Sequence, residues 1–134
     1  MPHAWNLGQV RPHIHVEPMA DPAVQQIARF TIRYTWTRHG LVTPLLIDWP
    51  EIIILLPINP GDLRRQMIVD FGLIDPRPNP EASDILLWVA SRTGTNAADT
   101  YTTNKGYGTG AANMIVHSFD VHYRPDKAGT VQEF

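Results

Sequence analysis

Residues 28–37 (ARFTIRYTWT) alternate without a break. Ala28, Phe30, Ile32, Tyr34 and Trp36 fall on one side of an extended chain, and Arg29, Thr31, Arg33, Thr35 and Thr37 on the other. Successive side chains of a strand point to opposite faces, whereas a helix would scatter these ten residues around its axis. The β-branched and aromatic content suits a pleated surface. The segment is predicted to be an antiparallel strand, with one face in a core and the other in water or against a partner.

A single strand cannot bury its own apolar face, so further strands must pair and pack with it. His13-Ile14-His15-Val16 reads as a short strand with both histidines on one face. Ile52–Leu56 reads as a buried strand bounded by Pro50 and Pro57. Residues 65–74 place Met67, Val69 and Phe71 on one face, and Ile85–Ala90 is apolar on both. In Met114–Tyr123, Ile115, His117, Phe119, Val121 and Tyr123 share one face; Ser118, Asp120 and His122 share the other with Met114 and Val116. His39-Gly40 and Asn59-Pro60-Gly61-Asp62 read as turns. Residues 17–27 form a loop with room for one helical turn, 75–83 a proline-rich loop, and 92–113 a long polar, glycine-rich loop of the functional or mobile kind.

Proline is tolerated in helices only in the first turn, and the twelve prolines of this chain are nearly twice the usual ~5%. Six strands with proline and glycine loops predict an all-β fold: an antiparallel β-sandwich, jelly-roll-like. The 134 residues are enough for one such domain. The division expected is an N-terminal arm over 1–12 with Trp5 as its anchor, a β-sandwich over 13–124, and a C-terminal tail over 125–134 ending in Phe134.

Cysteine is absent, which excludes disulfides, thiolate metal sites and cysteine nucleophiles. A formal net charge of -2 argues against phosphate-backbone binding, so no direct nucleic-acid partner is expected. No apolar run approaches the ~20 residues of a membrane helix, and no membrane association is expected. Met1–Val10 shows no basic region followed by an apolar one, so no secretory signal is read there. The charged residues are skewed: nine arginines against two lysines (Lys105 and Lys127), and only four glutamates, alongside four tryptophans. Interfaces favour Arg and Trp over Lys and Glu.

His13-x-His15 is the metal candidate, because alternate strand residues project together. Asp120 and His122 would complete a site if the last strand lay beside the first, and histidine with carboxylate suits zinc, iron or manganese. Ordinary hydrogen bonding across strands would equally account for these residues. A cupin-like metal enzyme would use the same four groups, but no glycine frames the histidine pair and Glu17 follows it too closely. No Gly-x-Ser-x-Gly elbow is present. Gly106-Tyr107-Gly108-Thr109-Gly110 lacks the lysine and the strand-to-helix setting of a phosphate loop. No enzymatic activity and no cofactor are expected. Arg29 and Arg33 share the polar face of their strand, where they would meet solvent, acids or a partner. Trp49 beside Pro50, with Trp5 and Phe134, completes the interface candidates. A lectin-like jelly roll is the remaining binding class, with no motif of its own.

Three stretches together carry a family likeness. They are Pro12-His13-Ile14-His15 followed by Phe30–Trp36; Ser91–Tyr101, ending in Ala98-Asp99-Thr100-Tyr101; and Phe119-Asp120-Val121-His122-Tyr123, running on to Gly129 and Gln132-Glu133-Phe134. In order and spacing the chain resembles a group of small bacteriophage virion proteins. Residues 40–80 match poorly, and the 75–80 and 92–113 loops depart from the pattern. The resemblance implies a jelly-roll structural subunit of a tailed phage. Some proteins of this type cement or decorate the outer capsid surface, as trimers at local three-fold axes, and brace neighbouring major capsid subunits. A tail, collar or fibre position is the alternative it leaves open.

Overall fold

The computed structural model describes residues 5–94, 96–102 and 114–125, with the backbone alone at 5, 6, 124 and 125. Six strands follow one another: β1 (Trp5–Pro18), β2 (Gln26–Thr37), β3 (Glu51–Ile58), β4 (Met67–Asp70), β5 (Ile85–Arg92) and β6 (Met114–Pro125), with one 3-10 turn at Leu46–Asp48. They form two three-stranded antiparallel sheets, ordered β4-β1-β6 and β3-β2-β5. The chain changes sheet after β1, β3, β4 and β5. The all-β antiparallel sandwich is the expected class.

The alternation in β2 does what its chemistry dictates. Ala28, Phe30 and Ile32 are buried, and they pack with Ile14, Val16, Ile58, Val69, Phe71 and Tyr101 between the sheets. Tyr34 and Trp36 extend this side into a second cluster around Val10 and Ile74. Trp88 of β5 stacks on Phe119 of β6, centroids 3.2 Å apart and planes 13° from parallel, so one aromatic pair links the two sheets. Beside it an apolar cleft of about 260 Å³ opens, lined by Ile14, Phe30, Trp88, Val116 and Phe119 among others.

The division at residue 12 is corrected for residues 5–12. They belong to β1, the central strand of its sheet. Val10 is fully buried, and it exchanges both backbone hydrogen bonds with Ile74 (3.0 and 2.7 Å). The alternation is hidden there by a register shift between Trp5 and Val10, where Leu7 takes a left-handed φ of 64°. Pro12 hides it further, since a proline argues against a central strand. The expected strand over 65–74 is shortened to Met67–Asp70, because Gly72 turns the chain at φ 78°. Residues 1–4, 103–113 and 126–134, Phe134 included, lie outside the described residues.

A second correction concerns β6. Ser118 pairs with His15, but the next pair is Val116 with Val16, so one extra residue, His117, is inserted. Such a bulge reverses the facing of everything beyond it. Met114 packs on the core and Val116 lines the apolar cleft, though Val116 (59%) and Ile115 (41%) are both exposed. Strict alternation, as read from the sequence, places Ile115 on the same face as Phe119.

The 75–84 loop is fixed by one carboxylate. Asp84 is fully buried; it accepts from Arg38 Nε (2.6 Å) and the Glu81 N–H (3.0 Å), with Arg77 3.6 Å away. Burial pushes this carboxyl up, but the Arg38 and Glu81 bonds and the two guanidinium charges outweigh it and hold it below its ordinary value of 3.8. Arg11 does the same for Asp70 through its side-chain hydrogen bonds. A carboxyl depressed on folding stabilises fully above its unfolded value and loses that contribution as pH falls through its folded value. Wild-type stability is thus expected to hold down to pH about 4 and to fall steeply below it. Denaturation followed across that range should show a shallower fall in Asp84→Asn, from a lower plateau.

Candidate functional site

On β1, Val10, Ile14 and Val16 are buried, which leaves Arg11, His13 and His15 on the outer face of their sheet. The condition set by the sequence is met: β6 lies beside β1, with Asp120 directly opposite His13 and Ser118 opposite His15. His13 Nε2 and His15 Nε2 are 3.1 Å apart, and Asp120 Oδ2 lies 3.0 Å from His15 Nε2 and 3.5 Å from His13 Nε2. His122 follows on the same face, its ring centroid 4.8 Å from that of His13. All four candidate residues are therefore brought together. Ser118 Oγ reaches Asp120 Oδ2 at 3.3 Å, and Asp70, held by Arg11, closes the other flank opposite His13. Burial pushes the His13 imidazole below its ordinary value; the neighbouring His122 and His15 push the same way and outweigh the carboxylates of Asp120 and Asp70. His13 is thus favoured in its neutral form, the form in which imidazole binds metals.

The outer face of the second sheet has a different character. Register places Leu55 opposite Arg29, Ile53 opposite Thr31, Val89 opposite Arg33 and Ile85 opposite Thr37. All four apolar side chains are exposed, between 45% and 53%. The β2–β3 connection adds Leu41, Val42, Leu45, Leu46 and Ile47, with Val42 at 94%. It lies against the same face: Arg33 Nη1 donates to Leu46 O, and the Thr37 and Thr43 hydroxyls are 3.4 Å apart. The β2 row between the β3 and β5 side chains is polar (Arg29, Thr31, Arg33, Thr35 and Thr37), and exposed apolar side chains grouped on either side of it mark an interaction site.

The interface candidates fare differently. Arg33 sits within that apolar face, paired with Glu51 at 3.0 Å. Arg29 shares the face, and its backbone N–H is engaged by Asp99. Trp49 is half-buried and donates from Nε1 to Pro44 O (2.9 Å), so it closes its own loop. The side chain of Trp5 and the whole of Phe134 lie outside the described residues.

The sequence did not reveal that the start of the 92–113 loop is built in. Thr100 and Tyr101 N–H both donate to Ile27 O, and Thr100 Oγ1 accepts from the Ile27 N–H. Asp99 accepts from the Arg29 N–H (2.9 Å) and from Arg92 at both oxygens (2.7 and 2.6 Å). Tyr101 is fully buried and its hydroxyl exchanges hydrogen bonds with both backbone groups of Ala20. Ala98-Asp99-Thr100-Tyr101 is therefore a clasp on the edge of the sandwich. Besides the family likeness that ends in these four residues, its sequence signal was the aromatic Tyr101 in a mostly polar stretch.

No family model, curated protein or solved structure matches the chain.

Proposed function

We propose that this chain is a non-enzymatic structural protein of a tailed-phage virion, bound to the outside of the capsid as a cement protein. It braces neighbouring major capsid subunits and acts there as a homotrimer. The observation that carries the reading is the set of exposed apolar side chains (Ile53, Leu55, Ile85 and Val89) flanking the polar β2 row on the outer face of the β3-β2-β5 sheet, continued by the apolar residues of Leu41–Ile47. A face of this kind is costly to leave in water and suits contact with another protein surface. The resemblance to small virion proteins is what points to a capsid as that surface. No helix among the described residues is long and apolar enough to cross a membrane. Each contact is modest, but repetition over a symmetric shell multiplies retention.

The variant Ile53→Lys/Leu55→Lys puts two charges on that face at positions already half exposed. Its thermal midpoint should stay close to wild type, since exposed substitutions cost about 0.5 kcal/mol or less each. Its occupancy on capsids, read by gel densitometry of purified particles, should fall at least tenfold. Wild-type occupancy by a folded double variant would remove this face from the account. A tail, collar or fibre position is the rival reading, and copy number separates the two.

A further inference from the structure

We propose that His13, His15 and Asp120 form a binding site for one zinc-class divalent transition-metal ion, which fastens the β1–β6 seam. The three ligand atoms lie 3.0, 3.1 and 3.5 Å from one another. An ion with four bonds of about 2.0–2.1 Å holds neighbouring ligand atoms about 3.3 Å apart, so one ion fits all three at once. Protons satisfy the same cluster poorly. Two ring nitrogens and a carboxylate oxygen converge on one point, and each nitrogen carries at most one hydrogen, aimed at a single acceptor. A divalent cation satisfies all three lone pairs together.

The donor set selects the ion. Two imidazoles and one carboxylate suit zinc and its neighbours rather than calcium or magnesium, which take oxygen. The backbone presents the ligands without local strain: His13 faces Asp120 across the ladder, and His15 is the next outward residue of β1. Ser118 hydrogen-bonds the carboxylate and steadies it, as partners of metal ligands do. Asp120 is 46% exposed on its side chain, so the fourth position is open to water, with His122 at its border. β6 is an edge strand. A metal bridge to β1 would add to the stability of this seam.

The full chain, purified without a histidine tag and stripped with chelator, should take up one Zn²⁺ per chain when dialysed against buffer containing zinc chloride. Elemental analysis reads the stoichiometry, and titration calorimetry the affinity. Zinc should raise the thermal midpoint of wild type, and Co²⁺ in its place should give the intense visible bands of a four-coordinate site. His15→Ala and Asp120→Asn should each weaken zinc binding at least tenfold and abolish the midpoint rise. His117→Ala, at the exposed pair with Glu17, should leave both unchanged. Circular dichroism of the variants separates lost ligands from lost fold, and Asp120→Asn is close enough in shape to fold if His15→Ala does not. Wild type that retains no zinc would overturn the proposal and leave the cluster as cross-strand hydrogen bonds. So would zinc binding unaffected by the Asp120→Asn change.

Discussion

Asp99→Ala is expected to lower unfolding stability by about 3 kcal/mol, the range for removing one partner of a buried charge pair. The side chain is fully buried, yet it lies in a loop between strands. Its worth lies in three hydrogen bonds to two strands, the Arg29 N–H on β2 and the Arg92 guanidinium on β5. Losing the carboxylate strands the Arg29 N–H and removes the charge facing Arg92, and both desolvation costs then go unmet. The clasp also carries Tyr101 into the core, so its release exposes Ile27 and Ala20 backbone groups as well. Urea denaturation measures the effect. Asp99→Asn, which still accepts from the Arg29 N–H, should cost visibly less. In the double variant Asp99→Ala/Arg92→Leu, removing both charges should recover part of the loss, as expected for a coupled pair. A change below about 0.5 kcal/mol in Asp99→Ala would mean that the clasp is not part of the folded unit.

Trp88→Ala should cost about 3–5 kcal/mol, at the upper end for core truncations. Two contributions add. The indole stacks face to face on Phe119, the aromatic pair that joins the two sheets, and such pairs are worth about 0.5–1.5 kcal/mol beyond area burial. Truncation would also enlarge a cleft of about 260 Å³ that is already there. A site next to existing free space lacks neighbours that can collapse inward, so most of the new void would persist. Trp88→Phe keeps a ring against Phe119 and should lose less than half as much. Near-ultraviolet circular dichroism should lose its aromatic bands in Trp88→Ala while the far-ultraviolet strand signal persists.

The parts of the fold legible in the sequence are those where period two runs unbroken. β2 could be read to within two residues and β5 from its start at Ile85, whereas β3 runs through Pro57, the boundary expected from the sequence, to Ile58. Legibility fails where the backbone departs from the pleat. The ladder shifts by three residues between Trp5 and Val10, around Leu7, and by one at His117, and no residue type announces either. Pro12 disguised the first half of β1, although its missing N–H matters little because its carbonyl still accepts from the Phe71 N–H. The histidine cluster was half visible. The spacing of His13 and His15 is local, and so is that of Asp120 and His122, but only the pairing of β1 with β6 brings the two halves together. The apolar face was visible only in part. Ile53 and Leu55 looked like core because their run is continuous, and strand order decides that the second face of β3 has nothing packed on it among the described residues.

The capsid account is tested most directly by the copy number of this chain in purified virions, quantified by mass spectrometry against the major capsid protein. A cement protein repeats with the shell, so the account predicts a ratio near one, on the order of hundreds of copies per particle. A few to a few dozen copies would instead assign the chain to the tail, collar or fibres. Its absence from the particle would contradict the structural role altogether.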